Sequence, residues 1–200
     1  MNDHGIGKLY EDIADWFDQN RSKQLIEKSY LDVLVTRIKP APSVLDLGCG
    51  SGEPIARYLI EQGCQITGVD GAASMIAMCQ KRFPNMEWIR ADMRGLRLER
   101  RFDAVIAWDS FFHLDQDAQR SLFPVFANHT RNGSVLLFTS GSDHSVAYGE
   151  MNGHTVYHAS LDTAEYQSLL EENGFDVLIH AINDVNCGGR TVWLAKRRRE

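Results

Sequence analysis

The segment Val44 to Gly52, VLDLGCGSG, constrains this chain more than any other. Its apolar start reads as a buried strand over 43–47, and Gly48, Gly50 and Gly52 follow at once. Glycines there let the backbone turn sharply and let a ligand approach main-chain amides with no Cβ in the way. Pro54 then opens a helix running to about Gln62, since proline suits a first helical turn, and Gly63 ends it. Strand, glycine turn and helix in that order begin an open α/β sheet.

The alternation continues along the chain. Apolar runs at 65–69, 86–89, 103–108 and 134–139 read as further strands, with helices over 72–82 and 116–128 between them. A polar, glycine-bearing stretch at 140–157 reads as a long loop, followed by a helix over 163–173 that Gly174 stops. Residues 175–181 and 191–195 read as two last strands. The segment between them is too short for a helical crossover, so they form an antiparallel hairpin turned by Gly188-Gly189. Ahead of the sheet, Tyr10, Ile13 and Phe17 share one helical face and Ile26, Tyr30, Val33 and Leu34 another, with Pro40 and Pro42 as the stop.

The expected architecture is α/β, a Rossmann-like seven-stranded, mostly parallel sheet with helices on both faces and a C-terminal antiparallel β-hairpin. We expect one domain over 1–200: a helical cap (1–40), a ligand-binding core (41–139), and an acceptor-side part (140–200) made of a lid loop, a helix and the hairpin.

Composition narrows the function. A formal net charge of -6 argues against a main role on nucleic acid, where a basic face must neutralise phosphates. The basic run Lys196 to Arg199 reads as a solvated tail. Cys49, Cys64, Cys79 and Cys187 form no CxxC pair and have no histidine at metal-ligand spacing, so neither a zinc site nor a disulfide framework is expected. No signal-peptide core or membrane span is read, and the expected compartment is the cytoplasm.

The acids give the glycine loop its meaning. Asp46 sits two residues before Gly48, where its carboxylate either braces the loop or faces a ligand ammonium group. Asp70 ends the second strand, 18 residues after Gly52, where a carboxylate can accept both hydroxyls of a ribose. A dinucleotide fingerprint is GxGxxG around a pyrophosphate. Here the third glycine comes one residue early, and an acid precedes the loop where it would repel a phosphate.

That combination resembles the first motif of the class I S-adenosylmethionine-dependent methyltransferases, and the resemblance favours S-adenosylmethionine over NAD. It extends to Val69-Asp70, to Arg90-Ala91-Asp92-Met93 and to FDAVIAWDSFFHL (Phe102 to Leu114). The opening Tyr10 to Phe17, YEDIADWF, is similar to the start of many small-molecule members. The resemblance implies Asp70 on the ribose, Asp92 and Met93 at the adenine, and the region from Trp108 to Phe111, with Trp108 and Ser110 singled out, beside the methionine end. It further implies Tyr10 and Phe17 closing over the cofactor, with Cys49 acting through its backbone. Gly71 and Met75 complete the candidate cofactor residues; Gly71 stands where the family often carries a larger side chain, leaving the ribose edge more open. No metal is implied.

The implied activity is methyl transfer to a small molecule by in-line displacement, and the alternative is a non-catalytic S-adenosylmethionine-binding module. A base is needed only where the nucleophile is protonated. His113, His154 and His158 are the candidates, the last two on the presumed lid. Arg190 is either a partner for an acidic acceptor or a solvated hairpin residue. The expected state is a monomer or homodimer, with no nucleic-acid or membrane partner.

Overall fold

The computed structural model describes residues 5–199. Its elements run α1 (Ile6–Asn20), α2 (Lys28–Arg37), β1 (Ser43–Leu47), α3 (Ile55–Glu61), β2 (Gln65–Asp70), α4 (Ala73–Arg82), β3 (Glu87–Arg90) and β4 (Phe102–Ala107). There follow α5 (Gln116–His129), β5 (Thr130–Ser140), β6 (Ser145–Met151), β7 (His154–Ser160), α6 (Thr163–Glu172), β8 (Phe175–Asp184) and β9 (Arg190–Arg197).

Seven strands form one sheet in the order β3-β2-β1-β4-β5-β9-β8. The first five are parallel, and β9 runs antiparallel to both β5 and β8, as expected for a Rossmann-like sheet with a terminal hairpin. Strand order reverses between β1 and β4, which leaves a crevice at the carboxyl ends of those two strands.

Apolar side chains of β1 and β4 pack to both sides, because helices cover both faces. On one face Phe111, Phe123, Phe126, Phe138, Tyr166 and Trp193 make a fully buried aromatic cluster under α5 and α6. On the other, Tyr30, Leu31, Leu34, Leu59 and Cys79 from α2, α3 and α4 cover the sheet. The start of α5 is fixed by Asp115, whose carboxylate accepts the Ala118 amide at 2.8 Å. Asp115→Ala should therefore cost about 1 kcal/mol of unfolding free energy in a denaturant titration; an unchanged midpoint would remove the cap from the account.

The stretch at 140–157 departs from expectation. Its centre is not a loop but a second, two-stranded antiparallel sheet, β6–β7, in register from Ser145↔Ser160 to Met151↔His154. Asn152 (φ 49°) and Gly153 (φ 77°) turn it, an Asn-Gly pair in the left-handed region that suits a two-residue hairpin. β6 is exposed nearly throughout, so it lacks the apolar face that would have marked it as a strand. The C-terminal basic run is likewise not a free tail. Lys196 and Arg197 belong to β9, and Arg198 pairs with Asp176 at 2.7 Å.

Candidate active site

A cavity of about 540 Å³ opens at the crevice between the ends of β1 and β4. Its floor is the turn after β1. Gly48 and Cys49 both donate their amides to the Val69 carbonyl, at 2.7 and 3.1 Å, which ties the turn to β2. Gly48, Gly50 and Gly52 all have positive φ, so the turn needs residues without a Cβ penalty. Cys49 is buried and its thiol is pushed well up, first by a hydrogen bond with Cys79 and then by burial; only its place in the turn concerns the cavity.

The two acids of the floor behave differently. The Asp70 carboxylate accepts the amides of Gly50 and Ala72, each at 2.9 Å, and so holds the glycine turn against the start of α4. Burial nonetheless pushes its pKa upward. Loop bracing, which the sequence suggested for Asp46, is thus Asp70's. Asp46 is 4 % exposed and lines the cavity, and burial, then the neighbouring Asp70, pushes its carboxyl to about 7. A cation brought beside it would restore the carboxylate.

Beyond β3, Asp92 and Met93 line the cavity beside Gly71. Asp92 is gripped by Arg94, whose Nε lies 2.8 and 3.0 Å from its two oxygens. Burial works to raise the Asp92 pKa, and the Arg94 hydrogen bonds outweigh it and hold it low. A group that bonds to Asp92 must share it with that guanidinium.

At the β4 end, Trp108, Asp109, Ser110 and His113 form the wall. Ser110 donates its hydroxyl to the Leu47 carbonyl at 2.7 Å, which joins β4's end to β1. His113, in a short 3-10 turn, is 6 % exposed, and burial pulls its pKa down to about 4. Its Nδ1 lies 3.0 Å from the Tyr157 carbonyl, which can only accept, so Nδ1 carries the proton. Nε2 of the neutral ring therefore accepts the Tyr10 hydroxyl at 3.1 Å.

Helix α1 roofs the cavity with Ile6, Gly7, Tyr10 and Phe17. Tyr10 meets Phe17 edge-on at 5.2 Å, and burial pushes its phenol up to about 12. Glu11 accepts the Ser74 amide and hydroxyl at 2.9 and 2.7 Å, and Asp18 pairs with Arg82, fastening the roof to α4.

Four expected residues stand elsewhere. Met75 is fully buried between α1 and α4, with Ala14 and Ala72, and is not part of the cavity lining. His154 is exposed beside the turn of the β6–β7 hairpin. His158 is half-buried behind the wall, its ring 4.8 Å from His113 and 5.2 Å from Phe112. Phe111 belongs to the aromatic core.

The sequence reading overlooked Arg21 and did not single out Asp109 within its region 108–111; both also line the cavity. Asp109 has φ 48° and is held by Arg190 through contacts of 2.7 to 2.9 Å, so Arg190 is neither solvated nor awaiting an acceptor. Arg21 lies over the Phe17 ring and reaches Asp109 only at 4.0 Å. A signal existed: Tyr10, Phe17 and Arg21 recur at i, i+7 and i+11, one stripe of a helix.

Residues 44–133 match a family profile described as a methyltransferase domain. The chain is 32 % identical over 126 residues to trans-aconitate 2-methyltransferase of Azoarcus sp. strain BH72, covering 60 % of this chain and 49 % of that protein. It is 28 % identical over 132 residues to the dTDP-3-amino-3,4,6-trideoxy-alpha-D-glucopyranose N,N-dimethyltransferase of Streptomyces venezuelae, covering 64 % and 55 %. The chain thus spans about half the length of the relatives it matches. Its fold is that of the Burkholderia thailandensis 1,6-didemethyltoxoflavin-N1-methyltransferase, solved with S-adenosylhomocysteine, at TM-score 0.74 and 18 % identity over 100 % of this chain and 92 % of that one. Residues 44–133, which hold the glycine turn and the strands from β1 to the start of β5, are thus similar to a methyltransferase domain.

Proposed function

We propose that this chain transfers a methyl group from S-adenosylmethionine to a small-molecule acceptor by in-line displacement. The observation that carries the reading is the charge order inside the cavity. A methionine end is a zwitterion, and buried Asp46 and lightly engaged Arg21 offer one anion and one cation for it. Asp70 suits the ribose and Asp92 with Met93 the adenine, while Tyr10 and Phe17 exclude water from above.

When bound, the sulfonium supplies a methyl group already activated for attack. The chain's own task is then to align the acceptor and keep the site dry. Tyr10, Trp108, Asp109 and His113 bound the space where an acceptor would sit. His113 is a weak base there, since its lone pair already accepts Tyr10, and His154 and His158 stand outside the lining. Acceptors whose nucleophilic atom needs no strong base are favoured. A small acceptor is supported by relatives whose names specify an acid and an amino sugar.

The proposed division keeps 1–40 as cap, 41–139 as core and 140–200 as the acceptor side, acting as a monomer or homodimer without nucleic acid. No described helix is long and apolar enough to cross a membrane. The cytoplasm is the proposed compartment, supported by four buried, unpaired cysteines.

Asp46 gives a pH signature. Between 3.8 and about 7 the folded carboxyl keeps a proton that the unfolded one has lost, so the ligand-free protein loses stability as pH rises through that window. A ligand ammonium needs the carboxylate. S-adenosylhomocysteine affinity should thus rise about tenfold per pH unit up to about 7 and level off above. Calorimetry across pH checks this, and Asp46→Asn should bind weakly with a flat profile. A wild-type profile as flat as the variant's would remove Asp46 from the ammonium.

The activity itself is tested with methyl-labelled S-adenosylmethionine and a panel of small acids, amines and sugars. Label on an acceptor establishes the enzyme. A chain that binds the cofactor but labels nothing in a broad panel would support the non-catalytic module.

A further inference from the structure

His113 makes two bonds that belong to different parts of the molecule. Its Nε2 accepts Tyr10 from the roof helix α1, and its Nδ1 donates to the Tyr157 carbonyl in β7. The same two parts also share an apolar cluster, Leu9, Ile13 and Val156, with Met151 packed against it. The β6–β7 hairpin is paired to nothing in the main sheet. A two-stranded hairpin is marginal in water without a covering partner, so its order depends on what touches it. Near its base, Gln119 donates to the Ala159 carbonyl at 2.8 Å and Gln116 to the Ser160 carbonyl at 3.2 Å. Farther along β7, His113 supplies a further polar tie.

Helix α1 is itself an added wall. It lies outside the sheet and lines the cavity with Tyr10 and Phe17. Its polar attachments to the core, Glu11 to Ser74 and Asp18 to Arg82, are side-chain contacts near the surface. A ligand filling the cavity gains contact with α1 and so favours its seated position.

We propose that His113 is a positioning residue that couples these two walls, so that a ligand seating α1 also orders the β6–β7 hairpin. The inference rests on reading the cavity as the S-adenosylmethionine site. Seated α1 presents the Tyr10 hydroxyl, which holds the imidazole in the tautomer that donates to Tyr157. Loss of the Tyr10 bond frees the ring to rotate, and the hairpin loses the tie at Tyr157. Coupling of this kind is reciprocal, so an ordered hairpin also favours the closed roof. The consequence is an order of events: the methyl donor enters first, and the acceptor-side hairpin settles after it.

Amide hydrogen exchange, read by mass spectrometry with and without S-adenosylhomocysteine, tests the coupling. Two variants cut the link. Tyr10→Phe removes one hydroxyl and leaves the ring packing, and His113→Asn keeps a donor near the Nδ1 position while losing the acceptor for Tyr10. In the wild type the ligand should slow exchange at least about threefold in residues 44–52, in α1 and in 145–160. With each variant saturated by ligand, at a concentration set from its own measured Kd, the slowing over 44–52 should persist while that over 145–160 disappears. The double variant should match the singles, since all three break one chain of bonds. If the hairpin responds equally in wild type and Tyr10→Phe, or stays unresponsive in a wild type whose 44–52 segment is protected, the coupling is wrong. If the ligand protects nothing in the wild type, the cofactor reading itself fails, and the coupling with it.

Discussion

Asp70→Ala should lower S-adenosylhomocysteine affinity by about 100-fold or more while leaving the fold in place. Two hydroxyl donors to one carboxylate contribute roughly 1.5 kcal/mol or more each, together about 3 kcal/mol, which is the quoted factor. The same carboxylate also fastens the Gly50 and Ala72 amides, so its loss slackens the turn that cradles the ligand. Stability should change far less. Burial raises the Asp70 pKa, so the cost of holding a charge there offsets part of what its two amide bonds contribute. Calorimetry and thermal melting together separate the outcomes. A large loss of melting temperature with unchanged affinity would make Asp70 a loop brace and nothing more.

Gly48→Ala should be damaging for a different reason, steric rather than electrostatic. A Cβ at Gly48 would collide with the Ser110 Cβ, sit 2.9 Å from its Oγ and 3.3 Å from the Met93 methyl. Ser110 cannot step aside, because its hydroxyl is held by the Leu47 carbonyl. The left-handed backbone, φ 75°, adds about 1 kcal/mol for a non-glycine residue, and overpacking adds roughly 1–3 kcal/mol. The expected destabilisation is about 3 kcal/mol, with binding lost. Two controls isolate the collision. Gly95→Ala shares the positive φ but meets nothing within 4 Å, so it should cost only about 1 kcal/mol. Ser110→Gly placed with Gly48→Ala should recover the overpacking share. Failure of that recovery in a denaturant titration would show that the turn, not the contact, sets the requirement.

These two positions also show how far sequence alone reached. Gly48 and Asp70 were legible because one follows and the other ends a buried strand, and strand ends in an open parallel sheet converge on one edge. The sheet order followed from the alternation, and the terminal hairpin from a connection too short to cross over. What escaped was set by tertiary contact. Met75 reads like a cofactor wall but faces α1, because the roof helix covers that side of α4. His154 and His158 looked equivalent on a presumed loop, until pairing into β7 left one exposed and put the other behind His113. The hairpin itself was announced by Asn152-Gly153, but an exposed β6 gave no apolar alternation to support it. Arg21 was within reach on the stripe shared with Tyr10 and Phe17. Its meaning required knowing that Arg190 already occupies Asp109.

On the proposed function, this cavity holds the methyl donor and not a pyrophosphate-bearing nucleotide. Titration calorimetry of the intact chain at pH 8, with S-adenosylhomocysteine in one series and NADH in the other, addresses it directly. The expected result is saturable binding of S-adenosylhomocysteine at one site per chain and no measurable heat of binding from NADH. Binding of NADH with none of S-adenosylhomocysteine would contradict it.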